Sequence, residues 1–236
     1  NLYNGLSMIL QKYESLRTSP VYIWGESYGG KYVPSLTYKI AIENEKSGRF
    51  KINLAGMGIG NPLSDPISQI TSFADFASQS GLIDMKERLF IEKMQDEGVD
   101  MIKRNKWFDA SIQYFLVAYN VSQFAGNVSI HDITNYQLSI PYSVDFIQYL
   151  SRSSIGGALH VGSNPYSYVS QEAIVALLED VSKSCLSLYT EILQRNVRVM
   201  VYNGVYDMLC NAPGVEKMLY SISFPEVIQP FINAKK

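Results

Sequence analysis

The chain has 236 residues, 47% of them hydrophobic and 18% charged, with a formal net charge of −2. That is enough material to bury one large core, and the balanced charge gives no basic footprint for nucleic acid. No run of about 18 apolar residues is present, so a membrane span is not expected. The two histidines, His131 and His160, and the two cysteines, Cys185 and Cys210, form neither a zinc-ligand spacing nor a disulfide framework. We expect no metal and no cofactor.

Leu2, Leu6, Ile9, Leu10 and Tyr13 stand at helical spacing, predicting a helix over 2–16 that Thr18-Ser19-Pro20 ends. Val21 to Trp24 reads as a buried strand. Gly25-Glu26-Ser27-Tyr28-Gly29 then fits G-x-S-x-G, and a helix is predicted from about Lys31, with Val33, Leu36, Ile40 and Ala41 on one face. Pro34 is placed in its first turn or so, where a missing amide does little harm. Strand, turn and helix in that order are the context a nucleophile elbow requires. Such a turn is sharp, and a Cβ at Gly25 or Gly29 is expected to clash. It would hold the Ser27 hydroxyl clear of the sheet, at a helix N-terminus where developing negative charge is stabilised.

Ile52, Leu54, Met57 and Ile59 predict a second strand, interrupted by Gly56 and Gly58. The stretch from Gly60-Asn61-Pro62 to Asp65-Pro66 reads as a loop. Its small residues fit either a tight connection or a place where substrate approaches the backbone, and no catalytic role is assigned to Asn61. A helical pattern runs over 69–98 with breaks at Gly81 and Asp84. The stretch 100–160 differs in texture, with aromatic residues such as Trp107, Phe115, Tyr119 and Phe124 set among many Ser, Asn and Gln; for most of them packing is the simplest reading. Asn120-Val121-Ser122 and Asn127-Val128-Ser129 are N-x-S acceptors. Helices are predicted over 171–178 and 187–194, followed by a strand over 197–202 and a loop containing Asp207. An acid just after a late strand fits the Ser…Asp…His chain order, although the residues alone rank Asp207 only slightly above Asp65 and Asp180.

Gly-Glu-Ser-Tyr-Gly-Gly-Lys-Tyr-Val-Pro, residues 25–34, resembles the serine carboxypeptidases, and within them the vitellogenic-like branch; 51–66 and 197–211 are similar to the same family. The resemblance implies an α/β-hydrolase fold, a mostly parallel sheet with helices on both faces, as one domain over 1–236 with a helical cap inserted at approximately 84–165. It implies Ser27 as nucleophile, Asp207 as triad acid and the Tyr28 amide as half of an oxyanion hole. Glu26 would bind the C-terminal carboxylate of a peptide substrate. Two anions at contact distance repel, so Glu26 does this only when protonated, which implies exopeptidase activity at acid pH. Cys210 falls where some members keep a cysteine near the substrate pocket; a small buried residue, or a bridge to Cys185, are the alternatives.

The family is secretory, so a lysosomal or extracellular location and glycosylation at Asn120 and Asn127 are expected. Two family features find no match: a Gly-rich segment before the elbow and a histidine after the acid. His131 and His160 both precede Asp207. The chain is therefore expected to be truncated at both ends, to partner the remaining segments of a longer precursor, and to be inactive alone. A serine carboxypeptidase-like acyltransferase and a non-catalytic binding protein on the same fold are the rival readings.

Overall fold

A computed structural model of the chain describes residues 2–136, 145–162, 164, 166, 167 and 170–234. Helix α1 (Leu2–Lys12) leads to β1 (Val21–Glu26), helix α2 (Gly29–Glu45) and β2 (Leu54–Gly60). Then come helices α3 (Pro66–Ile70), α4 (Phe73–Gln79), α5 (Met85–Lys103), α6 (Trp107–Phe124), α7 (Asp145–Leu150), α8 (Ser153–Ala158), α9 (Gln171–Val181) and α10 (Leu186–Gln194). Strand β3 (Arg198–Tyr202) precedes α11 (Ala212–Tyr220) and α12 (Pro225–Ile232). The strands are parallel in the order β1-β2-β3, with Glu26 opposite Gly60 and Gly60 opposite Tyr202. All three therefore end at one edge.

Local chemistry sets the helix boundaries. The break expected at Asp84 is the N-cap of α5: its carboxylate accepts from Glu87 N, while the Glu87 carboxylate accepts from Asp84 N. Asp65 caps α3 by accepting from Ser68 N at 3.1 Å, and Asn211 caps α11 by accepting from Gly214 N at 2.9 Å. Pro34 lies one turn deeper in α2 than the sequence suggested. As a helix-interior proline it leaves the carbonyl four residues back, that of Gly30, without its amide partner. The Ser64 hydroxyl supplies the missing donor, at 2.9 Å from Gly30 O. The apolar stripe of α1 is only partly used: Leu10 is buried, whereas Leu2 and Ile9 are exposed.

Val33 of α2, Met57 and Ile59 of β2, and Tyr189 and Ile192 of α10 form the core on one face of the sheet. A second core joins α3 to α6 to the loop after β3, through Ile70, Phe73, Ile91, Tyr114, Val117 and Met208. Tyr114 is fully buried, and its hydroxyl donates to Leu209 O at 2.9 Å. The glycines of β2 make room for rings of the neighbouring strands. A Cβ on Gly58 would meet the Trp24 ring at 2.3 Å, and one on Gly60 the Tyr202 ring at 2.6 Å. The outer strands lay their rings across the middle one, and those rings remain about half exposed.

Candidate active site

The elbow stands at the carboxyl edge of the sheet. Ser27 follows β1 directly and has φ 55°, a conformation that costs an ordinary side chain roughly 1–2 kcal/mol. Its surroundings determine it on several sides: Ser27 N donates to Gly60 O at 3.0 Å, while Ser27 O accepts from Gly30 N and Leu63 N, each at 2.9 Å. Its side chain is exposed. The glycine expectation is half right. A Cβ on Gly25 would meet Val33 Cγ2 at 2.7 Å and Gly29 Cα at 3.3 Å, but a Cβ on Gly29 would find nothing nearer than 3.9 Å. The second crowded position is Gly30, where a Cβ would lie 2.6 Å from Leu63 O and 2.7 Å from Leu63 N.

Tyr28 begins the turn into α2, among the amides that a helix leaves without an internal acceptor. Its hydroxyl donates to Asp180 Oδ2 at 2.7 Å. Of the three acids compared from sequence, Asp65 is thus a helix cap, Asp180 holds a tyrosine, and Asp207 shares a cleft with Ser27. That cleft, about 460 Å³, is lined by Glu26, Ser27, Asn61, His131, Asp207 and Cys210, among others.

Asp207 is held from two sides. Asn61 Nδ2 donates to its Oδ2 at 2.7 Å, and Cys210 N donates to its Oδ1 at 3.0 Å. Burial pushes the carboxyl above its ordinary value; the amides of Cys210, Asn61 and Leu209 and the charge of a protonated His131 pull it back. Asn61, given no role from the sequence, also accepts from Gly204 N at 3.1 Å and sits at φ 42°. It holds the Asp207 carboxylate against the turn at Gly204. His131 enters the cleft because its loop is stitched to the acid loop: Ile133 N donates to Tyr206 O at 3.0 Å, and Ile130 O accepts from Met208 N at 3.1 Å and Leu209 N at 2.9 Å. His160 is exposed beyond α8 and does not line the cleft.

Both cysteines are free, which removes the suggested bridge. Cys210 is buried, and burial with the nearby Asp207 charge pushes its thiol well above the ordinary range. Cys185 caps α10, beside Lys31. The two glycosylation acceptors part company. Asn127 is exposed just past α6, whereas Asn120 lies within α6, donates to Leu116 O at 2.8 Å, and has its acceptor partner Ser122 sealed from solvent. Among the described residues, no three His, Cys, Asp or Glu side chains are grouped to hold a metal ion, and no helix is long and apolar enough to cross a membrane.

An exposed serine on a strained turn between a parallel strand and a helix, with a half-buried acid in the loop after the strand two places along, is the arrangement of an α/β-hydrolase site. The serine carboxypeptidase family matches residues 1–234, and the chain belongs to that family. It is 33% identical over its whole length to a probable serine carboxypeptidase, CPVL, of Dictyostelium discoideum, covering 47% of that protein. It is 30% identical to the venom serine carboxypeptidase of Apis mellifera, with 95% of this chain and 49% of the relative aligned. The fold is that of Kex1Δp, a prohormone-processing carboxypeptidase from Saccharomyces cerevisiae: TM-score 0.79 at 18% identity, over 94% of this chain and 52% of the yeast chain. The chain thus spans about half the length of the relatives it matches.

Proposed function

We propose that the protein is a serine carboxypeptidase that releases C-terminal residues from peptides through an acyl-enzyme. The observation that carries the reading is Ser27 at φ 55°, exposed in the same cleft as the anchored Asp207. Ser27 attacks the terminal peptide carbonyl, the Tyr28 amide receives the developing oxyanion, and Asp207 orients the base that takes the serine proton. Glu26, exposed beside Ser27 at the mouth of the cleft, receives the substrate's carboxylate in its protonated form, which favours acid pH. The family relationship supports a secretory or lysosomal setting, with glycan at Asn127. We assign the base to sequence beyond this chain, because both of its histidines precede Asp207.

Fluorophosphonate labelling tests the reading. The whole protein should label one-to-one at Ser27, Ser27→Ala should not label, and the 236-residue chain alone should label slower by several orders of magnitude. A whole protein that stays unlabelled is a non-catalytic member of the fold. Stoichiometric labelling of the isolated chain would overturn the assignment of the base and make His131, the imidazole in the cleft, the first residue to replace.

A further inference from the structure

Next to Ser27, the start of α2 is gripped by the end of α9 and the loop that follows it. Tyr28 reaches Asp180 Oδ2 through its hydroxyl at 2.7 Å, and the Lys31 ammonium donates to Lys183 O. Lys31 is only 4% exposed, and burial pulls its ammonium below the ordinary lysine value. A charge placed there needs strong acceptors to be tolerated. The Tyr28 ring also stacks edge-on against Tyr32, with centroids 5.1 Å apart.

The gripping loop is itself pinned. Ser182 Oγ and Ser111 Oγ of α6 lie 2.8 Å apart, with Ser111 also donating to Leu178 O, and Cys185 N donates to Ser64 O at 2.9 Å. Ser64 is the residue whose hydroxyl satisfies Gly30 O. The side chains of Tyr28 and Lys31 therefore end on Asp180, in the last turn of α9, and on Lys183, in the loop after it, more than a hundred residues away in sequence, while Leu63 N donates to Ser27 O. Tyr28, Lys31, Asp180 and Lys183 are not among the residues that line the cleft.

We propose that Asp180 is a positioning residue for the oxyanion donor: by holding the Tyr28 hydroxyl it fixes the ring, and through the ring the backbone amide beside Ser27. This rests on the reading of Ser27 as nucleophile. An oxyanion donor works only within a few tenths of an ångström of its target, and deleting one costs about 10²–10³ in rate. Loosening one costs less, so Asp180→Ala is expected to lower kcat about tenfold and to leave KM within about twofold, because the displaced group acts on the transition state.

The test uses the whole protein and an N-blocked dipeptide acid. Asp180→Ala and Tyr28→Phe should each show the same fall in kcat. The double variant should be no worse than either single one, since both cut one hydrogen bond. Asp180→Asn, whose side-chain carbonyl still accepts, should recover most of the rate. Additive losses, a change confined to KM, or an Asp180→Ala enzyme within twofold of wild type would each overturn the proposal. A second readout is independent of the catalytic reading: hydrogen exchange at the Tyr28 amide should quicken in Asp180→Ala and return in Asp180→Asn. If the wild type proves inactive, the nucleophile assignment fails and exchange alone decides the clasp; unchanged exchange in Asp180→Ala overturns it.

Discussion

Replacing Asn61 separates two contributions that the structure superimposes on one residue. Asn61→Ala deletes a hydrogen bond to the Asp207 carboxylate, which for a charged acceptor contributes about 1.5–3 kcal/mol. It also places an alanine at φ 42°, a strain of about 1 kcal/mol that asparagine tolerates and glycine avoids. At neutral pH the two together should lower unfolding stability by about 2.5–4 kcal/mol. The first part depends on pH, and its sign follows from Asp207. Burial sets that carboxyl above its ordinary 3.8, so its protonated form contributes stability below the unfolded value, lost as pH rises through the folded one. The charged carboxylate is thus a liability at neutral pH, which Asn61 reduces. Removing Asn61 raises the Asp207 carboxyl further, and the loss grows toward neutral pH. Urea unfolding at about pH 7 and about pH 3.5, with Asn61→Gly alongside, resolves the parts. Asn61→Gly should track Asn61→Ala in pH dependence and remain about 1 kcal/mol more stable at both values. An Asn61→Ala loss that is equal at the two pH values would refute the link to the Asp207 charge.

The crowding around the elbow predicts opposite outcomes at adjacent glycines. Gly30→Ala should cost about 3 kcal/mol or more, because its Cβ would fall 2.6 Å from Leu63 O and backbone cannot yield there cheaply; Gly29→Ala, with its nearest atom at 3.9 Å, should raise the thermal midpoint slightly by restricting the unfolded chain. Secretory expression should add glycan at Asn127 and leave Asn120 bare, read by mass before and after N-glycosidase; occupancy at Asn120 would show that α6 opens around Ser122.

The parts of the site legible in the sequence are those that local geometry dictates. Ser27 could be named because the glycines, the strand before it and the helix after it lie within a dozen residues. Asp207 needed the family resemblance, because what sets it apart from Asp65, a helix cap, and Asp180, within α9, is the cleft it shares with Ser27, a contact between distant segments. Asn61 was passed over since its role exists only once β2 and β3 are neighbours: Gly60 opposite Tyr202 brings Asn61 beside Gly204 and Asp207. His131 carried no signal at all, as the loop pairing that delivers it joins residues 130–133 to 206–209 through backbone atoms alone. The need for glycine in β2 was not legible for a related reason: the Trp24 and Tyr202 rings that take the space belong to other strands.

A single device recurs along the carboxyl edge of the sheet and explains why Ser27 and Asp207 share a cleft there. β1 and β2 end in register, Glu26 opposite Gly60, and each is followed by one non-glycine residue with positive φ, Ser27 and Asn61. Each of these residues extends the parallel ladder by one bond to the last residue of the next strand: Ser27 N to Gly60 O, then Asn61 N to Tyr202 O at 2.9 Å. The backbone is thus held like a strand on its amide side while it turns away on its carbonyl side. Two adjacent strands lift a polar side chain from the same edge, the first carrying the Ser27 hydroxyl and the second the Asn61 amide that anchors Asp207. Clefts at the carboxyl ends of parallel strands are where open α/β sheets place ligands. In this protein the strain at Ser27 persists because the ladder fixes its amide and Leu63 and Gly30 fix its carbonyl. Any change that slips β1 against β2 should therefore displace the Ser27 hydroxyl from the cleft before it unfolds the chain.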